Sequence, residues 1–179
     1  KPLGATGVMI LFTAGFLAIM APIIAPHDPL LTNADAILLS PNMTYWFGTD
    51  ELGRDILSRT MYGSGISMLV GIIGVLIAAS AGAVIGVISA HFGGVVDIVM
   101  QRFVDGATAF PSLLLALALM AAFGPSLNNV IAAVAIVYTP RIARVVRSAA
   151  LSIKETPYME AARAIGATDV RMIAKHILP

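Results

Sequence analysis

Residues able to do chemistry are sparse in this chain, and their spacing suits polar contact better than catalysis. The three histidines, His27, His91 and His176, lie far apart, and none belongs to an H-E-x-x-H metal pair. Without cysteine there is no thiolate metal site and no disulfide. No G-x-x-x-x-G-K-[ST] phosphate loop occurs, so ATP chemistry has no seat here. Asp97, Gln101 and Asp105 stand four apart and share one helix face. Two uses fit that face: a proton or cation relay, or a boundary face that meets headgroups and pairs with Arg102. Residues 48–59, GTDELGRDILSR, gather acids and arginines without a nucleophile–base pair. Asp50 there is placed to cap a helix whose apolar face is Ile56, Leu57 and Met61. That predicts a short amphipathic helix on a membrane surface, preceded by the interfacial residue types Tyr45, Trp46 and Phe47.

The elements that hold these residues are hydrophobic. The chain is 58% apolar and 12% charged, with a formal net charge of +1. Its mean hydropathy is +0.90. A water-soluble domain carries about twice that charge. The near-zero net charge excludes a strongly basic or acidic polymer binder. Four stretches reach the roughly 20 apolar residues that cross a bilayer: residues 3–25, 67–90, 103–123 and 128–146. The first is longer than a signal-peptide core, and Pro22 and Pro26 suit cleavage poorly, so it is read as a retained anchor. Pro111 and Pro140 fall within spans, where neighbouring helices can satisfy the freed backbone groups. Gly74, Ala78, Gly82 and Gly86 form a stripe of small residues for close helix packing. The predicted fold is all-α, a polytopic transmembrane bundle treated as one domain over residues 1–179.

Basic residues set the predicted orientation. Arg141, Arg144, Arg147, Lys154, Arg163, Arg171 and Lys175 cluster from the end of the fourth span onward. By the positive-inside rule that tail is cytoplasmic. Counting back places the N-terminus inside and residues 26–66 outside. The outer segment holds Asp28, Asp35, Asp50, Glu51 and Asp55 against only Arg54 and Arg59.

The tail, residues 148–179, reads as two short helices. Thr156 is a helix-capping type and Pro157 suits the first helical position. Tyr158, Ala161, Ala162 and Ile165 would form one apolar face. Gly166 suits a left-handed helix end. Thr168 would cap a second helix with Asp169 in its first turn, and Val170, Ile173, Ala174 and Ile177 recur at helical spacing. Such a knob suits a groove on a soluble partner.

E-A-A-x-x-x-G followed by L-P resembles the signature loop of binding-protein-dependent ABC importer permeases. Glu160, Ala161, Ala162, Gly166, Leu178 and Pro179 match it, with His176 where the family usually has isoleucine. FGTDELGRDILSR resembles the outer segment of the "C"-type dipeptide, oligopeptide and nickel permeases, through Gly48, Thr49, Asp50, Gly53, Arg54, Asp55 and Arg59. The resemblance implies a multi-pass subunit of a bacterial or archaeal inner membrane that is not itself an enzyme. It implies a second homologous permease, an extracytoplasmic solute-binding protein, and partner ATPase subunits that hold ATP and magnesium. This chain is expected to need no cofactor or metal. The loop would dock on an ATPase, with Glu160 holding the loop through polar contacts, the alanines allowing close packing and Gly166 making the turn. Translocation of di- or oligopeptides by alternating access is expected. The chain starts at Lys1 and stops just after an apolar run, so it is expected to be part of a longer permease.

Other readings stand beside it. A nickel-complex permease shares the outer motif. An ion-coupled carrier would use Asp97 and Asp105. A membrane-anchored DNA-binding regulator would read Ala162, Gly166 and Met172 as a helix-turn-helix, with Arg163, Arg171 and Lys175 on phosphates.

Overall fold

The computed structural model describes residues 2–177. Those residues form seven α-helices, and the chain divides into two compact units, residues 1–69 and 70–179.

In the first unit, helix α1 spans Pro2–Ile24 and carries no charge. Most of its apolar side chains are exposed, including Phe12 and Ile19. Apolar residues on every side are what a lipid-facing helix presents. It meets the start of helix α2 through small residues: a Cβ at Gly65 would lie 3.5 Å from the Ala18 Cβ.

Residues 26–55 are folded without a long helix. A single 3-10 turn, Ala34–Ala36, is capped by Asn33, whose side chain accepts from the Asp35 N–H at 3.1 Å. Two glycines are obligatory here. Gly53 has φ +69°, and a Cβ there would sit 1.8 Å from the Asn33 carbonyl oxygen. Gly48 has φ +75°, with the Leu39 carbonyl oxygen 2.4 Å from its Cβ position. Only glycine tolerates both constraints.

Helix α2 covers Ile56–Phe92, 37 residues. This corrects the expected surface helix: its apolar residues are the first turns of α2. The cap is Asp55, not Asp50. Its carboxylate accepts from the Ser58 N–H at 2.9 Å and the Ser58 hydroxyl at 2.5 Å. Asp55 wins because it stands immediately before the first helical residue, where a side chain reaches the orphan N–H three residues on.

In the second unit, α2 turns into helix α3, Gly94–Ala109, through Gly93 and Gly94, at φ +63° and +53°. Helix α4 is Ser112–Phe123 and helix α5 is Leu127–Lys154. The third span, expected as one run over 103–123, is broken: α3 and α4 meet at a bend of 89°. Pro111 supplies no N–H, and Phe110 before it is forced extended, at φ −84° and ψ 135°. Pro140, by contrast, stays inside α5 and is buried. Helix α5 also runs past the expected end at 146, taking in residues assigned to the tail. Helices α6 (Pro157–Ala164) and α7 (Asp169–Met172) follow, the latter continued by a wide π-type turn, Ile173–Ile177. The expected second tail helix therefore runs over residues 169–177 among the described residues, its later part widened to π geometry.

The small-residue stripe is where α2 lies on α5. A Cβ at Gly74 would fall 2.8 Å from Val134, and at Gly82 2.8 Å from Ile142. At Gly86 it would fall 2.6 Å from the Ala143 carbonyl oxygen and 2.9 Å from the Arg147 nitrogen. Ala78 is fully buried between them in sequence. Packing of small residues is the main attraction available between helices in lipid.

These packing and capping contacts can be tested separately. Gly86→Ala should lower the thermal midpoint of the purified full-length protein, at a cost of about 1–3 kcal/mol, because its obstacle is backbone. Gly71→Ala, with nothing within 4 Å of its Cβ position, should not. Just before α2, burial alone would raise the Asp55 carboxyl, but the Ser58 hydrogen bonds and His27 outweigh it and hold it below its ordinary value of 3.8. A lowered carboxyl stabilises fully above that ordinary value and loses its contribution as pH falls through the lowered one. The protection of the Ser58 amide against hydrogen exchange, relative to its intrinsic rate at each pH, should therefore fall on acidification through and below the ordinary carboxyl range. Asp55→Ala should show a weaker cap, by about 1 kcal/mol, and a flatter pH response.

Candidate functional site

The tail unit is built on a buried apolar contact. Met159 of α6 and Met172 of α7 are almost fully buried, and with Ile177 they pack against Val87 and Ala90 of α2 and Ala150 of α5. The buried face of α6 is therefore Met159 and Ala162. Of the expected face, Ala162 is buried, whereas Tyr158, Ala161 and Ile165 are exposed. Likewise Val170 and Ala174 are exposed, while Met172 and Ile177 are inside. The spacing alone could not choose between these two apolar faces, because both are helical.

Gly166 makes the turn as its residue type suggests. Its φ is +78°, and its N–H donates to the Arg163 carbonyl at 2.9 Å. The Ala167 N–H donates to the Ala162 carbonyl at 3.1 Å, which completes a Schellman end. Thr168 caps α7 by accepting from the Arg171 N–H. Thr156 does not cap α6. Its hydroxyl donates instead to the Ile153 carbonyl at 2.7 Å, closing the end of α5.

Polar contacts fasten the same unit to the helices before it. His91, the penultimate residue of α2, meets the Asp169 carboxylate through Nε2 at 2.9 Å. Its side chain is 4% exposed. Lys154 Nζ donates to the carbonyls of Ala90 and His91 at 2.9 and 2.8 Å. A cation on the last carbonyls of a helix satisfies orphan acceptors and the negative end of its dipole. Nothing in the sequence singles out His91 or Lys154 for this. A cation and an acid near helix ends are visible there, but not that α2 ends beside α7.

Glu160 makes no side-chain hydrogen bond or ion pair among the described residues, and it is exposed. Contrary to expectation it does not hold the loop; Asp169 and Lys154 do so instead. Ala161 lines an open groove of about 490 Å³ with Tyr158, Ile165, Arg171, Lys175 and His176. The Tyr158 hydroxyl and His176 Nδ1 close one side of it at 2.5 Å. The groove is apolar along α6 and basic along the chain after it. Leu178 and Pro179, the rest of the tail motif, lie outside the described residues.

Above this unit the acids of α3 reach α5, not Arg102. Asp97 takes both arms of Arg147, from Nε at 2.6 Å and Nη2 at 2.5 Å. It also accepts from the Ser89 hydroxyl, and Ser89 accepts from Gln101 at 3.0 Å. Asp105 pairs with Arg144 at 3.1 Å. The shared face of Asp97 and Asp105 is thus used for helix–helix pairing. A charge near the membrane is retained when paired in this bidentate way.

The outer motif also comes together. Thr49 is buried, accepting from the Leu39 N–H at 2.9 Å and donating to the Ala36 carbonyl. Thr49 and Asp55 form an isolated antiparallel bridge. Asp50 accepts from the Leu52 and Arg54 N–H groups at 2.9 and 3.0 Å and from Arg54 Nε at 2.8 Å. Arg59 Nε stands 3.4 Å from the same carboxylate. Gly48, Thr49, Asp50, Gly53, Arg54, Asp55 and Arg59 therefore form a structural knot joining residues 26–55 to the start of α2. It has the contacts of a scaffold.

The chain matches, over residues 82–179, the family described as the binding-protein-dependent transport system inner membrane component. That stretch holds the end of α2, the paired helices and the tail unit. Similar proteins include the probable D,D-dipeptide transport system permease protein of Escherichia coli, 41% identical over 99% of this chain and 60% of that protein. The dipeptide transport system permease protein of Alkalihalophilus pseudofirmus is 40% identical over 99% of this chain and 58% of its own length. The glutathione transport system permease protein of Pectobacterium atrosepticum is 37% identical over 98% and 58%. The chain spans about three-fifths of the length of these curated relatives. A helical bundle with apolar spans, charges paired between helices and a fastened tail unit is in keeping with that match, and the chain belongs to the family of inner membrane components of binding-protein-dependent transport systems.

Proposed function

We propose that this chain forms part of the pore-forming subunit of an ATP-driven importer that moves di- or oligopeptides by alternating access. The observation that carries the reading is the tail unit: it presents an open groove, and its back is buried against α2 and α5. The similar proteins named for dipeptide, D,D-dipeptide and glutathione transport favour peptides over a nickel complex. ATP and magnesium would sit on partner ATPase subunits, since this chain carries no phosphate loop. A second homologous permease would complete the pore, and an extracytoplasmic binding protein would deliver the solute. The basic residues of α5 and the tail favour a cytoplasmic tail, and with it a cytoplasmic N-terminus and an outer segment on the opposite side.

In this reading Ala161, Ala162 and Gly166 shape the docking surface. Exposed Glu160 is free to meet the ATPase. The unit would move as one body with the ends of α2 and α5, because Met159 and Met172 are buried there and His91 and Lys154 bind across. The ion-coupled carrier reading loses ground because Asp97 and Asp105 are occupied by arginines. The anchored-regulator reading is not kept, since the apolar positions that a DNA-binding unit would need around its own core are spent on α2 and α5.

Filling the groove tests the docking role. In the full-length protein, co-expressed with its second permease and ATPases, Ala161→Trp should reduce ATPase co-purification by at least about tenfold. ATP-dependent uptake of labelled dipeptide into proteoliposomes should fall with it. Unchanged association, or dipeptide uptake driven by a proton gradient without ATP, would count against the proposal.

A further inference from the structure

Helix α5 carries three arginines within two turns, and they are not held alike. Arg144 and Arg147 each meet a carboxylate, Asp105 and Asp97. Arg141 has no carboxylate partner among the described residues. Neutral groups hold it instead. Its Nη2 donates to the Ser112 hydroxyl at 2.9 Å, and its guanidinium lies 5.9 Å from the centroid of the Tyr138 ring. These contacts fix its position but leave its charge uncompensated.

From Ser112 and Tyr138 an open groove of about 320 Å³ runs between α4 and α5. Its lining is apolar beyond those two residues: Leu113, Ala116, Met120, Val130, Val134 and Val137 are among it. Along α4, Ser112 to Met120 spans about 12 Å. The bend at Phe110–Pro111 opens this end, where a smaller cavity is lined by Thr108, Ser112 and Arg141. A cation therefore stands at the mouth of an open apolar groove between α4 and α5.

We propose that Arg141 and the α4–α5 groove form a binding site for an anionic phospholipid. The phosphate would meet Arg141 and the Ser112 hydroxyl, and one acyl chain would lie along Leu113, Ala116, Met120 and Val134. Charge complementarity selects an anion, and the apolar lining selects a hydrocarbon chain. A peptide fits less well, because the groove offers its backbone no polar partners past Ser112 and Tyr138. The inference is independent of which solute the transporter carries.

Native mass spectrometry of the full-length protein, titrated with phosphatidylglycerol or phosphatidylcholine, reads the site directly. The wild type should retain phosphatidylglycerol in preference. Arg141→Gln should lose that preference about fivefold, and Arg141→Lys should keep part of it. Arg102→Gln, which removes an equal charge from an exposed position on α3, should leave it unchanged. Ala116→Phe, which narrows the groove from a half-buried position, should reduce binding of both lipids. Thermal melts separate each effect from misfolding. Equal retention of the two lipids by the wild type would overturn the proposal. So would a phosphatidylglycerol preference insensitive to Arg141, or lost equally with Arg102→Gln. A wild type without lipid, whose groove residues cross-link to the second permease, would assign the groove to that subunit instead.

Discussion

The second half of α2 lies so close to α5 that their backbones nearly touch, and much of the second unit depends on that approach. At Gly86 there is no room for a methyl group before the Ala143 carbonyl. Because the helices meet there, the next turn of α2 brings Ser89 to Asp97 and, through it, to Arg147. One step further, the carbonyls of Ala90 and His91 reach Lys154, and the His91 ring reaches Asp169. Small side chains supply the approach, and polar groups then fix the register. Neither would suffice alone. Glycine packing is permissive to sliding, whereas a bidentate arginine–carboxylate pair has one geometry.

This arrangement gives a plain physical meaning to the tail unit. Helices as short as α6 and α7 are not stable in water by themselves. Their order comes from Met159, Met172 and Ile177, buried against the ends of longer helices. The face left over is the groove with Ala161 and Ile165, available to a partner. A partner pulling on that face would therefore pull on α2 and α5. The family motif, seen this way, is divided between two tasks. Ala162 and Gly166 shape the unit, and Glu160 and Ala161 face outward.

Much of this is legible in the sequence. Spans of about 20 apolar residues, the Gly–Ala stripe, the turn at Gly166 and the cap at Thr168 depend on local chemistry, and local chemistry is enough. The differences share a cause. Pro111 falls inside an apolar run, but whether a proline bends or breaks a helix depends on what neighbours supply to the freed carbonyls. Asp50 and Asp55 are both capping types, and choosing between them requires knowing where α2 starts. Arg102 is close to Asp97 in sequence, whereas the partner in space is Arg147 on another helix. The apolar residues of α6 offer two faces, and only the position of α2 and α5 decides which is covered.

Under the proposed transport role, the buried methionines and the polar fastenings make the tail unit and the end of α5 move as one body. Nitroxide labels at Val145 and Val170, both well exposed, would report it by pulsed electron–electron distance measurement in the full-length transporter with its partners. One narrow distance, unchanged between the nucleotide-free, ATP-bound and post-hydrolysis states, is the predicted result. A distance that shifts or broadens between those states would show the unit detaching from α5, and would contradict this coupling.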